Sequence, residues 1–220
     1  MGGSPRRSPI FREGNRLRGE RSSYRQRAQP KLTLDGMNET SLDFLFEVEP
    51  PWIRAGEGEC RRTKWIPSYF YSRSGFKSCV RILRGPKMRN TQSLMDEFGA
   101  AFQFFEGFGE NWYALEDCLE CLDEWLPADS YILIVECAEE MLCEEIPEEL
   151  TLFLITMDRV GKSWSKSIED NGRFNRKSIP FHALLHVSPQ TTNGCARFTK
   201  AALKSGISVG ELRDPNPPKT

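Results

Sequence analysis

The side chains best suited to chemistry cluster in Phe108–Trp125, FGENWYALEDCLECLDEW, where seven residues carry acidic or amide oxygens and none is Lys or Arg. Carboxylates at this density can transfer protons, ligate a metal ion or present negative charge to a basic partner. A proton-transfer pair needs an isolated acid in apolar surroundings to raise its pKa. The acids here come in solvent-facing runs such as CEEIPEE. A zinc site built on Cys118-x-x-Cys121 with Cys137 and Cys143 needs thiolates converging from tight turns, but the first pair falls inside an apolar helical pattern. A redox pair at this spacing needs a helix N-terminus to lower its thiol pKa, and these residues sit a turn or two inside. His182 and His186 fall on one face of the strand-like FHALLHV, with neither a nucleophile nor a third ligand at a matching spacing. No Gly-rich phosphate loop follows a strand, and no Ser-His-Asp set is spaced as in known hydrolases. The expectation is therefore no catalytic residue, no metal and no cofactor, which leaves presentation of charge.

Charge is strongly segregated behind a net value of −1. Residues 1–31 hold nine Arg/Lys against two Glu, or +7. From Asn90 to Asp158 there are eighteen Asp/Glu and no Lys or Arg, so −18 over 69 residues. Such a field repels itself and attracts cations or basic proteins. No run approaches the roughly 20 apolar residues that span a bilayer, and MGGSPR lacks both a signal core and the Ser or Thr of a myristoylation site. The seven cysteines follow no framework spacing. A cytoplasmic protein with reduced thiols is expected, and no membrane or small-molecule partner.

The elements that must position the acidic stretch can be read from periodicity. Residues 1–40 form a basic, aperiodic tail expected to be disordered. Residues 41–75 form an ancillary segment, with SLDFLFEVEPPWI as a short strand ended by Pro50-Pro51 and Trp65–Phe76 as an edge strand or loop. KSCVRILRG reads as a strand closed by Gly85-Pro86. NTQSLMDEFGAAFQFF reads as a helix capped by Thr91 or Ser93, with Leu94, Phe98, Ala101, Phe102 and Phe105 on its apolar face. Leu115, Leu119, Leu122 and Leu126 set the next helix, ended by Pro127. SYILIVEC suits a strand buried on both faces. A third helix starts near Pro147, and FHALLHV is the last strand. The order β-α-α-β-α-β predicts an α/β fold: a small three-stranded parallel sheet packed against three or four helices, with ancillary N-terminal strands. This domain spans 76–188, and 189–220 is a tail with one short helix and then a disordered end.

The string FGENWYALEDCL resembles the barstar family, intracellular inhibitors of secreted bacterial ribonucleases. Phe108, Gly109, Glu110, Asn111, Ala114, Leu115, Asp117, Cys118 and Leu119 match its motif, and the element order agrees over about 76–188. The resemblance implies a non-enzymatic protein that plugs the active site of a basic ribonuclease or ribonuclease-type toxin, one to one, as an antitoxin or immunity protein does. In that role Asp117 imitates the RNA phosphate and accepts charge-assisted hydrogen bonds. Gly109 holds a backbone angle that a side chain would strain. Asn111 ties the loop or caps the helix, and Phe108, Tyr113 and Glu116 flank the contact. Asp158 adds an acidic contact from the third helix. The chain departs from the pattern at Gly107-Phe108, where the family prototype has two aromatics. It departs again at Tyr113, which replaces an acid, and at Glu116, which replaces Trp. Two other classes stay open: an interaction or scaffold protein that kept the fold, motivated by Tyr113 and Glu116, and a nucleic-acid-associated protein using the basic tail, although only Phe11 and Tyr24 are aromatic among those arginines and nucleic acid is not the expected partner.

Overall fold

The computed structural model describes residues 42–58, 76–169 and 175–212. The basic tail 1–40, most of the Trp65–Phe76 stretch and the C-terminal end beyond 212 lie outside the described residues.

Among the described residues, five strands and four α-helices follow in chain order: β1 (Ile53–Glu57), β2 (Ser78–Arg84), α1 (Thr91–Phe102), α2 (Trp112–Glu120), β3 (Ser130–Glu136), α3 (Pro147–Trp164), β4 (Phe181–Val187), α4 (Ala196–Ser205) and β5 (Val209–Glu211). All strand pairs are parallel, in the order β2-β3-β4-β1-β5. The sheet thus has five strands, not three. Its central strands behave as their continuous apolar runs dictate. β4 is buried throughout and β3 everywhere except its last residue, because a parallel sheet must be covered on both faces.

The two added strands carry weak strand signals. β1 reads IRAGE, with two charges and a glycine in five residues, yet it lies inside the sheet with Ile53 opposite Ala183 and Val209. Its charges are accommodated locally: the Arg54 guanidinium lies 4.0 Å over the Phe44 ring. Gly56 is required, because a Cβ there would sit 1.9 Å from the Leu212 carbonyl oxygen. The expected strand before the prolines is instead a 3-10 turn, Asp43–Phe46. The chain extends only after the cis Pro50-Pro51 bond. The C-terminal region adds β5 to its anticipated helix.

All four helices pack on one sheet face, around Leu83, Leu133, Val135, Ala183, Leu185 and Val187. On the other face, Leu42 and Leu45 cover Ile132, Ile134 and Leu184. The segment carrying them is clasped by His182, whose Nε2 donates to the Glu47 carbonyl at 2.9 Å while its ring meets Phe44 edge-on. The two histidines do share a face, and both are buried, at 1 and 8% exposure.

Helix limits follow local chemistry. α1 is capped by Asn90 rather than Thr91 or Ser93: Asn90 Oδ1 accepts from the Ser93 amide at 2.9 Å, and Ser93 Oγ accepts from the Asn90 amide at 3.2 Å, a reciprocal capping box. The helix ends where Gln103 turns left-handed (φ 57°). Phe105 therefore falls off the apolar face and is exposed. In α3, Gly161 meets Trp52 so closely that a Cβ would lie 2.3 Å from the indole Cγ.

Two stability measurements test this packing. Gly161→Ala, which helix propensity alone would favour by about 1 kcal/mol, is expected to destabilise the protein by about 1–3 kcal/mol through overpacking against Trp52. A rise in urea midpoint would refute the contact. Burial holds His182 neutral and lowers its pKa from 6.5 to about 4. Between those values the unfolded chain binds the extra proton, so stability is full above pH 6.5 and is lost as pH falls toward 4. The loss is up to about 3 kcal/mol. Denaturation curves of wild type and His182→Phe across pH 7.5–4 should show that component only in wild type.

Candidate functional site

The acidic stretch becomes a loop, residues 103–111, leading into α2. Asn111 closes the loop onto the helix with one side chain. Its Oδ1 accepts from the Ala114 amide at 3.0 Å, as an N-cap does, and its Nδ2 donates back to the Gly109 carbonyl at 2.9 Å. It therefore both caps and ties. Gly109 serves this closure by its small size: a Cβ would meet Asn111 Nδ2 at 3.1 Å and the Ala114 methyl at 3.3 Å. The expectation of a strained angle at Gly109 is not met. The left-handed residue is Glu110 (φ 49°), whose carboxylate accepts from Gln92 Nε2 at 2.7 Å. Phe108 is half-buried, with its ring 4.8 Å from that of Phe104.

Both ends of α2 are fastened to α3. At its start, Trp112 Nε1 donates to Glu149 Oε2 at 2.8 Å. The same oxygen accepts from Thr91 Oγ1 at 3.2 Å, and Glu145 Oε1 accepts from the Thr91 amide at 2.8 Å. Glu149 thus joins the first turns of three helices. At its end, Arg176 donates to the Glu120 and Ser163 carbonyls at 2.9 and 3.2 Å, its guanidinium 3.8 Å over the Trp164 ring. A cation here satisfies orphan carbonyls at two helix C-termini. Trp164 Nε1 then donates to Leu119 O at 2.8 Å. None of Glu149, Arg176 and Trp164 announces itself in sequence. Glu149 sits in a run that reads as solvated, and Arg176 lies in a polar loop.

Leu115, Cys118 and Leu119 face the core, which turns Tyr113 and Asp117 outward, one helical turn apart. Tyr113 is 79% exposed. Asp117 is exposed and, among the described residues, makes no hydrogen bond or ion pair. The other two acids named from sequence differ. Glu116 pairs with Arg159 at 3.3 Å, and Asp158 with Lys162 at 2.6 Å. Both cations come from α3, immediately beyond the basic-free stretch. Glu120, one turn past Glu116, is held above the usual carboxylate range by burial, against a hydrogen bond from Ser163.

The cysteines divide. Cys79 and Cys118 are buried free thiols, whereas Cys121 and Cys143 are exposed. Burial pushes the Cys118 and Cys121 thiols upward, and neighbouring carboxylates add to it. That is opposite to the shift a nucleophilic thiolate needs. Cys137 is disulfide-bonded, so the expectation of reduced thiols throughout does not hold. No helix among the described residues is long and apolar enough to cross a membrane.

Comparison with known proteins gives one family. Residues 79–186, from β2 through β4, match the model for Barstar (barnase inhibitor). No curated protein matches the chain. Among solved structures, the Aeropyrum pernix ORC2 protein (ADPNP-ADP complexes) aligns at 12% identity and a TM-score of 0.45, over 73% of this chain and 40% of that one. The matched span contains the capped loop, α2 and the α3 residues that hold it, and on that match residues 79–186 form a domain of the barstar family.

Proposed function

We propose that this protein is a non-enzymatic inhibitor of a basic ribonuclease or ribonuclease-type toxin. It acts in the cytoplasm and binds one to one, without a cofactor. The observation that carries the reading is Asp117: an exposed carboxylate, unpaired among the described residues, on a helix fastened at both ends. A ribonuclease gathers Arg, Lys and His around the phosphate of its substrate. A protein carboxylate delivered there accepts the same hydrogen bonds, and a pre-ordered helix spends little conformational entropy on binding. The binding surface comprises Gly109, Asn111, Tyr113, Glu116 and Asp117, with Phe108 supporting the loop from beneath. The acidic stretch accelerates encounter with a basic cleft. Asp158 contributes once its lysine is displaced or shared.

A second reading has an observation in its favour. The Glu116–Arg159 and Asp158–Lys162 pairs neutralise two of the three candidate acids, which suits an interaction protein that kept the fold and binds something other than a nuclease.

One titration separates the two. The full chain is assayed against a panel of basic microbial ribonucleases. Inhibition at equimolar ratio is expected for at least one enzyme, and Asp117→Ala should weaken it by about a hundredfold or more with the thermal midpoint unchanged. Absence of inhibition across the panel, or an equally potent Asp117→Ala variant, sinks the inhibitor reading.

A further inference from the structure

Tyr113 stands where exposure is costly. Among the described residues, this phenol ring, 79% exposed on a nine-residue helix, makes no ring contact and no hydrogen bond. Its position is defined by Asp117. The two are four residues apart on one continuous helix, so their Cβ atoms lie about 5–6 Å from each other on the same face. The face between them is kept outward because Leu115, Cys118 and Leu119 occupy the core side. The Asn111 clasp and the Trp112–Glu149 bond immobilise the turn that carries Tyr113.

An aromatic plane one helical turn from an unpaired carboxylate has the chemical outline of a nucleotide: a stacking surface and an anion, joined by a rigid spacer. We infer that α2 occupies two subsites of its partner at once, with Asp117 in the phosphate subsite and the Tyr113 ring in the adjoining base subsite. This deepens the inhibitor reading and rests on it. The occupant is thereby narrowed to a basic endoribonuclease whose base subsite is an open aromatic or aliphatic slot able to stack a ring. A subsite that recognises its base only by hydrogen bonds would leave its buried polar groups unpaired against a phenol. Charge complementarity fits the same partner. α2 itself belongs to a stretch with no Lys or Arg from Asn90 to Asp158, the Arg159 beside it is paired with Glu116, and a nuclease cleft is basic. The phenolic hydroxyl is not essential to stacking, so the ring carries the contact.

The experiment uses the full chain and a ribonuclease that the panel shows to be inhibited. Inhibition constants are measured for wild type, Tyr113→Phe, Tyr113→Ala and Asp117→Ala. Competition is then run with two small probes, inorganic phosphate and the free nucleoside that the enzyme prefers. Tyr113→Phe should stay within about threefold of wild type, while Tyr113→Ala should weaken inhibition by about ten- to a hundredfold. Both probes should displace wild type. Phosphate alone should displace Tyr113→Ala, and nucleoside alone should displace Asp117→Ala. Circular dichroism controls for folding, which an exposed ring does not support. Equal potency of Tyr113→Ala and wild type, or no competition by nucleoside, overturns the base-subsite assignment while leaving Asp117 inhibition intact. If no enzyme in the panel is inhibited, both readings fall together.

Discussion

The outward presentation of α2 depends on hydrogen bonds at its two ends that no other part of the helix could supply. Its nine residues are too few to be stable alone in water. At the N-terminus the Asn111 amide and the Glu149 carboxylate take up polar groups that would otherwise be loose. At the C-terminus Arg176 and the Trp164 indole bind carbonyls left without intrahelical partners. Between these anchors the leucines need only fill the core. The outer face is then free of structural duty, which is the condition for a binding surface that costs little to order.

The charge segregation takes on a different meaning once the chain is folded. Many of the eighteen acids between Asn90 and Asp158 are internal acceptors. Glu97 takes Arg84 in a forked pair, Glu140 and Glu144 share Arg89, and Glu139 receives Ser188 and Thr191. Surface pairs of this kind add little stability individually. They do lower self-repulsion and fix loops around the sheet. Asp117 on α2, by contrast, has no hydrogen-bond or ion-pair partner among the described residues, so the acidic stretch acts as background potential around an outward carboxylate.

The sheet shows a comparable economy. β1 sits between β4 and β5, so the segment before β2 is integral to the fold rather than an appendage. The residues leading into it, Leu42 to Glu47, cover the face opposite the helices. The neutral His182 imidazole holds them with one hydrogen bond. Removing residues before Ser78 would expose both a strand edge and an apolar sheet face.

Sequence alone determined what period and local chemistry can encode. The apolar runs set β3 and β4, Pro147 set the start of α3, and the leucine spacing marked α2, which stops at Glu120 rather than at Pro127, with Leu122 opening a separate 3-10 turn. The FGENWYALEDCL string marked the loop, Asn111 and Asp117. Only the tertiary structure decided the rest, and the reason is the same in each case. β1 and β5 are short and carry Arg54, Glu57, Gly56 and Gly210, so their places in the sheet come from neighbours distant in sequence rather than from any pattern of their own. The bend expected at Gly109 moved to Glu110 because the Asn111 clasp dictates where the chain turns. Glu116 and Asp158 look like free acids until α3 brings Arg159 and Lys162 beside them. Whether a charge is available depends on what the fold places within about 4 Å of it, and a linear sequence does not contain that distance.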